Sequence, residues 1–302
     1  MKHIPVLLHK MLDNLSPKNG DTYIDATFGA GGYTRAILEN AQCNVVSFDR
    51  DPSTIQIAQE FTQEFGERFQ FIHDKFSNIE TYITQADGIV ADFGISSMHV
   101  DNADRGFSFQ KEAKLDMRMG KCEISAYSVI NTFSEEKLAS IIHEHSNERL
   151  AKKIAGMIFH TRKKQDIQST TELAQIIYEA YNKPQHYKIH PATKTFQAIR
   201  IYVNQELQEI QHLLSTSVNI LKPKGRLVCV SFHELEDRIV KNFLIQNSPQ
   251  KVKINKYSTN KDNKQADSQF TIITKKPIAP TQQEIKNNIR SRSAKLRCGE
   301  KT

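Results

Sequence analysis

The sequence predicts an α/β protein built on a parallel, doubly wound sheet and interrupted by an all-helical insert. Three observations lead there. Strand-like and helix-like runs alternate through the first third of the chain. From Ser134 to Asn182 only amphipathic helix is legible, and a β-rich run returns after Pro223-Lys224-Gly225. Parallel strands need crossovers, and helical crossovers cover both faces of the sheet.

The elements follow in order. Thr22 to Phe28 is a short β-rich run, followed by glycines and a helical stretch from Tyr33 to Glu39. Val45 to Phe48 is a second strand, closed by Asp49. Pro52 then suits a first helical turn, with Asp51 as the cap before it. Phe69 to Ile72 and Gly88 to Ala91 read as the third and fourth strands. Ser134 with Glu135 and Glu136 starts a helix whose acids favour the positive end of its dipole. Ser169-Thr170-Thr171-Glu172 has capping-box spacing and starts another. After Pro191 the apolar stripe Phe196, Ile199, Val203, Leu207, Ile210 and Leu214 predicts one long helix. The β-rich run Arg226 to Phe232 precedes a helix, and Val252 to Tyr257 and Phe270 to Thr274 are further strand candidates. The expected division is a sheet domain of residues 1–100 and 205–302 around an insert of residues 101–204.

A chain of 302 residues buries a sizeable core. It has no apolar run of the ~18 residues that a membrane helix needs, and its amino terminus lacks a secretory pattern, so a cytoplasmic protein is expected. Cys43, Cys122, Cys229 and Cys298 are far apart and unpaired in spacing, which argues against a zinc knuckle or a disulfide framework. The formal net charge of +7 favours a polyanionic partner without naming one. Basic residues gather at Arg149, Lys152, Lys153, Arg162, Lys163 and Lys164, and again from Arg290 to Arg297. These are either solvated faces or phosphate contacts.

The chemistry centres on Asp25-Ala26-Thr27-Phe28-Gly29-Ala30-Gly31-Gly32, which joins the first strand to the first helix. Glycines there allow a sharp turn and close approach of a bulky cofactor. Asp49 lies at the end of the second strand, where an acid accepts ribose hydroxyls; with Asp51 as the helix cap, Asp49 is left for that task. A dinucleotide fingerprint would carry a last glycine where Thr34 stands. An acid four residues before the first glycine instead resembles the opening motif of class I methyltransferases. Asp92, ending the fourth strand, points to the crevice where such sheets bind ligands, and serves a cofactor, a substrate amino group, or both. His233, Glu236 and Asp237 follow the returning strand. They are either a base or metal cluster or a capped helix start. Phe107, Phe109 and Tyr127 are either stacking platforms for an extruded base or core.

Nearly the whole chain resembles the RsmH family, also called MraW, of ribosomal RNA methyltransferases. The resemblance is carried by the segments His3 to Leu8, Asp25 to Tyr33, Asp49 to Pro52, Asp92 to Ser97 and Arg105 to Phe109. Leu115 to Met119, His190 to Arg200, Ser231 to Arg238 and Arg290 to Arg297 complete it. It implies a class I methyltransferase (Rossmann-like) doubly wound sheet with an inserted helical domain for substrate recognition. It implies S-adenosyl-L-methionine as cofactor and methylation of the exocyclic N4 of a cytidine in small-subunit ribosomal RNA, near the decoding site. The substrate is then that RNA or the assembled small subunit, and a homodimer is expected. By the resemblance the cofactor contacts fall on Gly31, Gly32, Tyr33, Asp49, Phe76, Asp92 and His99, and the glycine turn itself adds Gly29. Asp92 and His233, by their places after the fourth and the returning strand, are the catalytic candidates, with His233 shaping the base pocket. The family usually has His at Tyr33, Gln at His99, Ser at Glu234 and an acid at Lys10. Two other readings compete: a ribosome assembly factor without turnover, and a dinucleotide oxidoreductase.

Overall fold

A computed structural model describes residues 5–96, 98–99, 102–181, 190–249 and 268–302. The strand expected at Val252 to Tyr257 lies outside them. The chain divides into two compact units, Met1–Gly94 with Leu207–Thr302, and Ile95–Glu206. Among the described residues no helix is long and apolar enough to cross a membrane.

The first unit is a seven-stranded sheet: β1 Thr22–Asp25, β2 Asn44–Phe48, β3 Phe69–Ile72, β4 Ala86–Asp92, β5 Leu221–Ser231, β6 Phe270–Ile272 and β7 Lys295–Lys301. Their order is β3-β2-β1-β4-β5-β7-β6. The first five run parallel, and β7 lies antiparallel between β5 and β6. Its first four helices are α1 Leu8–Leu15, α2 Gly32–Asn40, α3 Ile55–Phe65 and the short α4 Ile79–Tyr82.

Both faces of the sheet are buried, so its strands are apolar at successive positions. Tyr23, Val45, Val90, Val228 and Val230 turn to one face, under Met11 of α1, Ile37 and Leu38 of α2 and Phe61 of α3. Their neighbours Ile24, Val46, Ile89, Leu227 and Cys229 turn to the other. Each such aliphatic or aromatic side chain contributes roughly 1.5–3 kcal/mol by leaving water.

The second unit is helical: α5 Ala126–Thr132, α6 Glu135–Ser146, α7 Ala151–Arg162, α8 Thr170–Ala180 and α9 Ala192–Asn204. Serine starts three of these helices. Ser125, Ser134 and Ser169 each accept the backbone N–H of the third residue on. At Ser169 the box is half made, because Glu172 accepts from the N–H of Gln168 instead. The core joins Leu138, Ile141, Ile154, Ile158, Leu173, Ile177, Phe196 and Ile199.

The long helix expected from Phe196 to Leu214 is two helices. The chain turns left-handed at Gln205, with φ 53°, and α10 runs from Glu206 to Ile220. Polar locks decide the break. Asn204 donates to the carbonyls of Met117 (2.7 Å) and Arg200 (2.9 Å) and accepts from Met119 N–H (2.8 Å). Arg200 clasps the Glu206 carboxylate with two bonds of 2.8 Å. The apolar period runs through this point because residues on both sides are buried.

The basic clusters also change meaning. Lys295–Lys301 is strand β7, and Arg297 within it is 8% exposed and doubly bonded to Asp237 of helix α11, Glu234–Gln246. Lys295 reaches the same carboxylate at 3.4 Å. Arg162 spends its guanidinium on the carbonyls of Ile130 and Phe133. Neither arginine is a phosphate contact. Lys163 lies over the Phe159 ring, 4.5 Å from its centre, and Arg149, Lys152, Lys153 and Lys164 make no ion pair among the described residues. Phe107 is buried in the helical core, Phe109 is partly buried against Phe196, and the Tyr127 hydroxyl donates to Asp166.

Candidate active site

The strand order reverses between β1 and β4, and the C-terminal strand ends beside such a switch point are where open α/β sheets bind ligands. Four carboxylates stand along this edge: Asp49 after β2, Asp25 ending β1, Asp92 ending β4, and Glu236 in the first turn of α11, the helix after β5. Short internal bonds hold the edge together. The Asp92 N–H donates to the Thr27 hydroxyl at 2.7 Å, so the β1 loop is tied to the end of β4.

Asp25 is fully buried. It accepts from Thr27 N–H (3.1 Å) and from the Thr34 hydroxyl (2.7 Å). Burial pushes its pKa up to about 6 despite these bonds, and the Asp49 charge adds to the rise. Asp92 differs in one respect: its Oδ1 is buried with no hydrogen-bond partner among the described residues. Burial first, then the charges of Asp25 and Glu236, hold its carboxyl well above the usual range. A cation placed here would relieve both effects.

The glycine turn has a packing reason beside its conformational one. Gly29 and Gly31 have φ of 52° and 74°, and α2 starts at Gly32. A Cβ on Gly31 would stand 2.3 Å from Phe61, and one on Gly32 would stand 2.2 Å from Pro5. These two glycines therefore let the loop sit against α3 and the amino-terminal segment, and the first-turn N–H groups remain at the helix start. Tyr33 is buried, its hydroxyl donating to the Val6 carbonyl. That bond shows how a tyrosine is housed at this position.

Asp49 is not left over, as elimination had suggested. Its Oδ2 accepts from Gly29 N–H and its Oδ1 from Asp51 N–H, each at 2.8 Å. Asp51 caps the turn at Pro52 as expected. A carboxylate oxygen takes more than one donor, so Asp49 can brace the glycine turn and still receive a hydroxyl. Phe76 opens the turn after β3, its ring 6.4 Å from that of Phe93, the residue after Asp92.

His233 is the cap of α11. Its ring accepts from Glu236 N–H, and Glu236 Oε2 accepts from His233 N–H and from Phe232 N–H (2.7 Å), a reciprocal capping box. His233 Nε2 lies 3.0 Å from Glu236 Oε1. The described residues contain no cluster fit for a metal. The group that counts here is Glu236, whose charge Asp92 feels and which the sequence offers only as one acid of the His233, Glu236 and Asp237 group. His99 lies in the helical unit, where its Nδ1 accepts from Ser96 N–H at 3.1 Å and its ring stands 5.0 Å from Phe107. The remaining predicted residues, Gly29, Gly31, Gly32, Tyr33, Asp49, Phe76, Asp92 and His233, belong to the sheet unit.

Cysteine chemistry has no place at this edge. Cys229 points into the sheet core, and burial pushes its thiol far up. Cys298 is buried likewise and is pushed up to about 12.

Comparison with known proteins gives the arrangement its lineage. The chain is 48% identical over 301 residues to the ribosomal RNA small subunit methyltransferase H of Orientia tsutsugamushi (strain Ikeda), covering 98% of this chain and 96% of that one. It is also 48% identical to the protein of that name from Rickettsia felis, covering 99% and 98%. Among solved structures it is similar to an rRNA methylase from Streptococcus thermophilus (TM-score 0.40, 12% identity, 97% and 93% covered). TrmN from Thermus thermophilus is another such structure (TM-score 0.45, 9% identity, 98% and 48% covered). The model of the MraW methylase family matches residues 1–302, and the chain belongs to that family.

Proposed function

We propose that this methylase takes its methyl group from S-adenosyl-L-methionine and delivers it to the exocyclic N4 of a cytidine in small-subunit ribosomal RNA, near the decoding site. The observation that carries the reading is the carboxylate edge around the unspent oxygen of Asp92. An edge that raises its own carboxyl pKa values suits a cationic ligand, and the cofactor bears a sulfonium and an ammonium. When bound, it supplies a methyl group on a good leaving group.

The protein's share is to hold, orient and accept a proton. The turn Gly29 to Gly32, with Tyr33 after it, offers the cofactor its backbone, Asp49 receives its ribose hydroxyls, and Phe76 offers an apolar face. His99 is a further cofactor contact in this reading. The lone pair of a cytosine amino group is delocalised into the ring. A fixed acceptor for its N–H favours the attacking geometry and receives the proton as charge develops. Asp92 Oδ1 is that acceptor. His233 acts through Glu236 as the cap that holds the edge in shape. The insert recognises the RNA, in free or subunit form, and the enzyme works as a homodimer in the cytoplasm.

Transfer of labelled methyl from S-adenosylmethionine to small ribosomal subunits, with the product nucleoside identified, tests the reading. Label in N4-methylcytidine that disappears in Asp92→Ala supports cofactor, target and site together. Tight cofactor binding with no transfer to subunits or free RNA would sink it and leave an assembly factor.

A further inference from the structure

The helical unit contains a cavity of about 300 Å³ lined by Phe109, Thr171, Ala174, Gln175, Tyr178 and His190. None of these residues belongs to the crevice at the sheet switch point. We propose that this cavity is a second nucleobase subsite, which stacks one unpaired base of the RNA strand other than the base that is methylated. The proposal rests on the reading of the substrate as RNA.

Three features of the cavity fit such an occupant. The first is its aromatic wall. The His190 ring packs near two others, 4.7 Å from Phe109 and 6.1 Å from Tyr178, at interplanar angles of 34° and 27°. All three rings line the cavity, and an aromatic wall is the surface on which a base stacks whatever its identity. The volume sits at the low end of the range for ligand pockets, which suits a single base.

The second feature is polar and directional. His190 Nδ1 accepts from Ala192 N–H at 3.1 Å, so in the neutral ring the proton sits on Nε2 as a donor. Gln175 turns its amide NH2 to Glu179 at 2.9 Å, which leaves its carbonyl oxygen as an acceptor. A donor and an acceptor at the rim match the edge of a base better than an aliphatic side chain.

The third feature is charge. The segment Lys111 to Lys114 is pinned to the start of α8: the Thr170 hydroxyl donates to the Lys111 carbonyl (2.9 Å), and Lys114 bridges Ser169. Lys111 and Lys114 are both exposed there, and Lys194 is exposed in the first turn of α9. Thr171 stands beside them in the first turn of α8. An aromatic slot beside exposed lysines takes a base together with its phosphates.

The chain has no tryptophan, so Tyr178→Trp installs a single reporter in the wall. Its emission should be quenched by a single-stranded oligoribonucleotide and left unchanged by the same oligomer made abasic. Equal quenching by both, or none by either, overturns the proposal. In parallel, Tyr178→Leu should raise KM for the ribosomal substrate roughly five- to hundredfold, with helicity and cofactor affinity retained, and Tyr178→Phe should restore it. An unchanged KM in the leucine variant also overturns it. Base-dependent quenching in a protein that methylates no RNA would leave the subsite standing and remove the functional reading instead.

Discussion

Asp92 in the sheet unit and Asn204 in the helical unit are both polar residues at the end of a regular element, yet they are treated oppositely. Asn204 is fully buried and spends its amide on three backbone groups. Asp92 keeps one buried oxygen unpartnered and stands among carboxylates of its own sign. Buried polar groups are ordinarily bonded, and an unbonded one costs stability. The satisfied amide is therefore a structural fastening, and the burial of the unsatisfied carboxyl is left uncompensated.

The largest effect should come from breaking the second half of that contrast. Asp92→Ala is expected to lower methyl transfer by roughly a hundredfold or more, the usual cost of losing one preorganised partner of a developing charge. Folding should hold, because what is removed is an unpaired group. If Asp92→Ala were instead markedly less stable in thermal unfolding and as active as wild type, the contrast would be inverted.

Asn204→Ala attacks the first half. It leaves the Met117 carbonyl and the Met119 N–H without their partner. A loss of about 2–4 kcal/mol in unfolding free energy is expected. Cofactor affinity should change little when measured calorimetrically below the unfolding range, because most of the proposed cofactor contacts lie in the other unit.

A smaller effect is set by pH. The Asp25 carboxyl rises from 3.8 to about 6 on folding, so the native state binds more protons than the unfolded one between those values. Stability from this group is then greatest below about pH 4 and falls as pH rises to about 6, by on the order of 3 kcal/mol in all. A cationic cofactor prefers the ionised edge, so its affinity should run the other way. It should weaken by up to about tenfold per unit below pH 6. Asp25→Asn should flatten both curves. Affinity independent of pH between 5 and 7 would separate the carboxylate edge from cofactor binding.

The smallest change is expected from His233→Asn. Asparagine is a good helix cap, so turnover should stay within a few-fold of wild type if His233 only caps α11. A hundredfold fall in kcat with unchanged cofactor affinity would show instead that the imidazole reaches the substrate.

Much of this was legible before the structure. The alternation of strand and helix, the cap at Asp51 and the helix starts at Ser134 and Ser169 depend on neighbours within a few residues, and they read directly from the chain. Strand β7 did not, because Lys295 to Lys301 alternates charged and apolar residues that resemble a basic tail. Its inward arginine is intelligible only beside Asp237. The break at Gln205 was hidden because burial continues past it.

The site divides the same way. Asp25, Asp49, Asp92 and the glycines stand out by type and place, since a crevice at strand ends draws on residues next to strands. Which carboxylate is spent and which is unspent was not readable. Asp49 braces Gly29 and Asp51, a commitment no sequence pattern announces, whereas His233 is a cap. Sequence by itself determined the fold class, the strand ends that bear the acids and the turn that joins them, because these follow from local period and residue type. Only the tertiary structure decided hydrogen-bond partnership, burial and the resulting charge states. Those depend on which groups, distant along the chain, are packed against one another out of water.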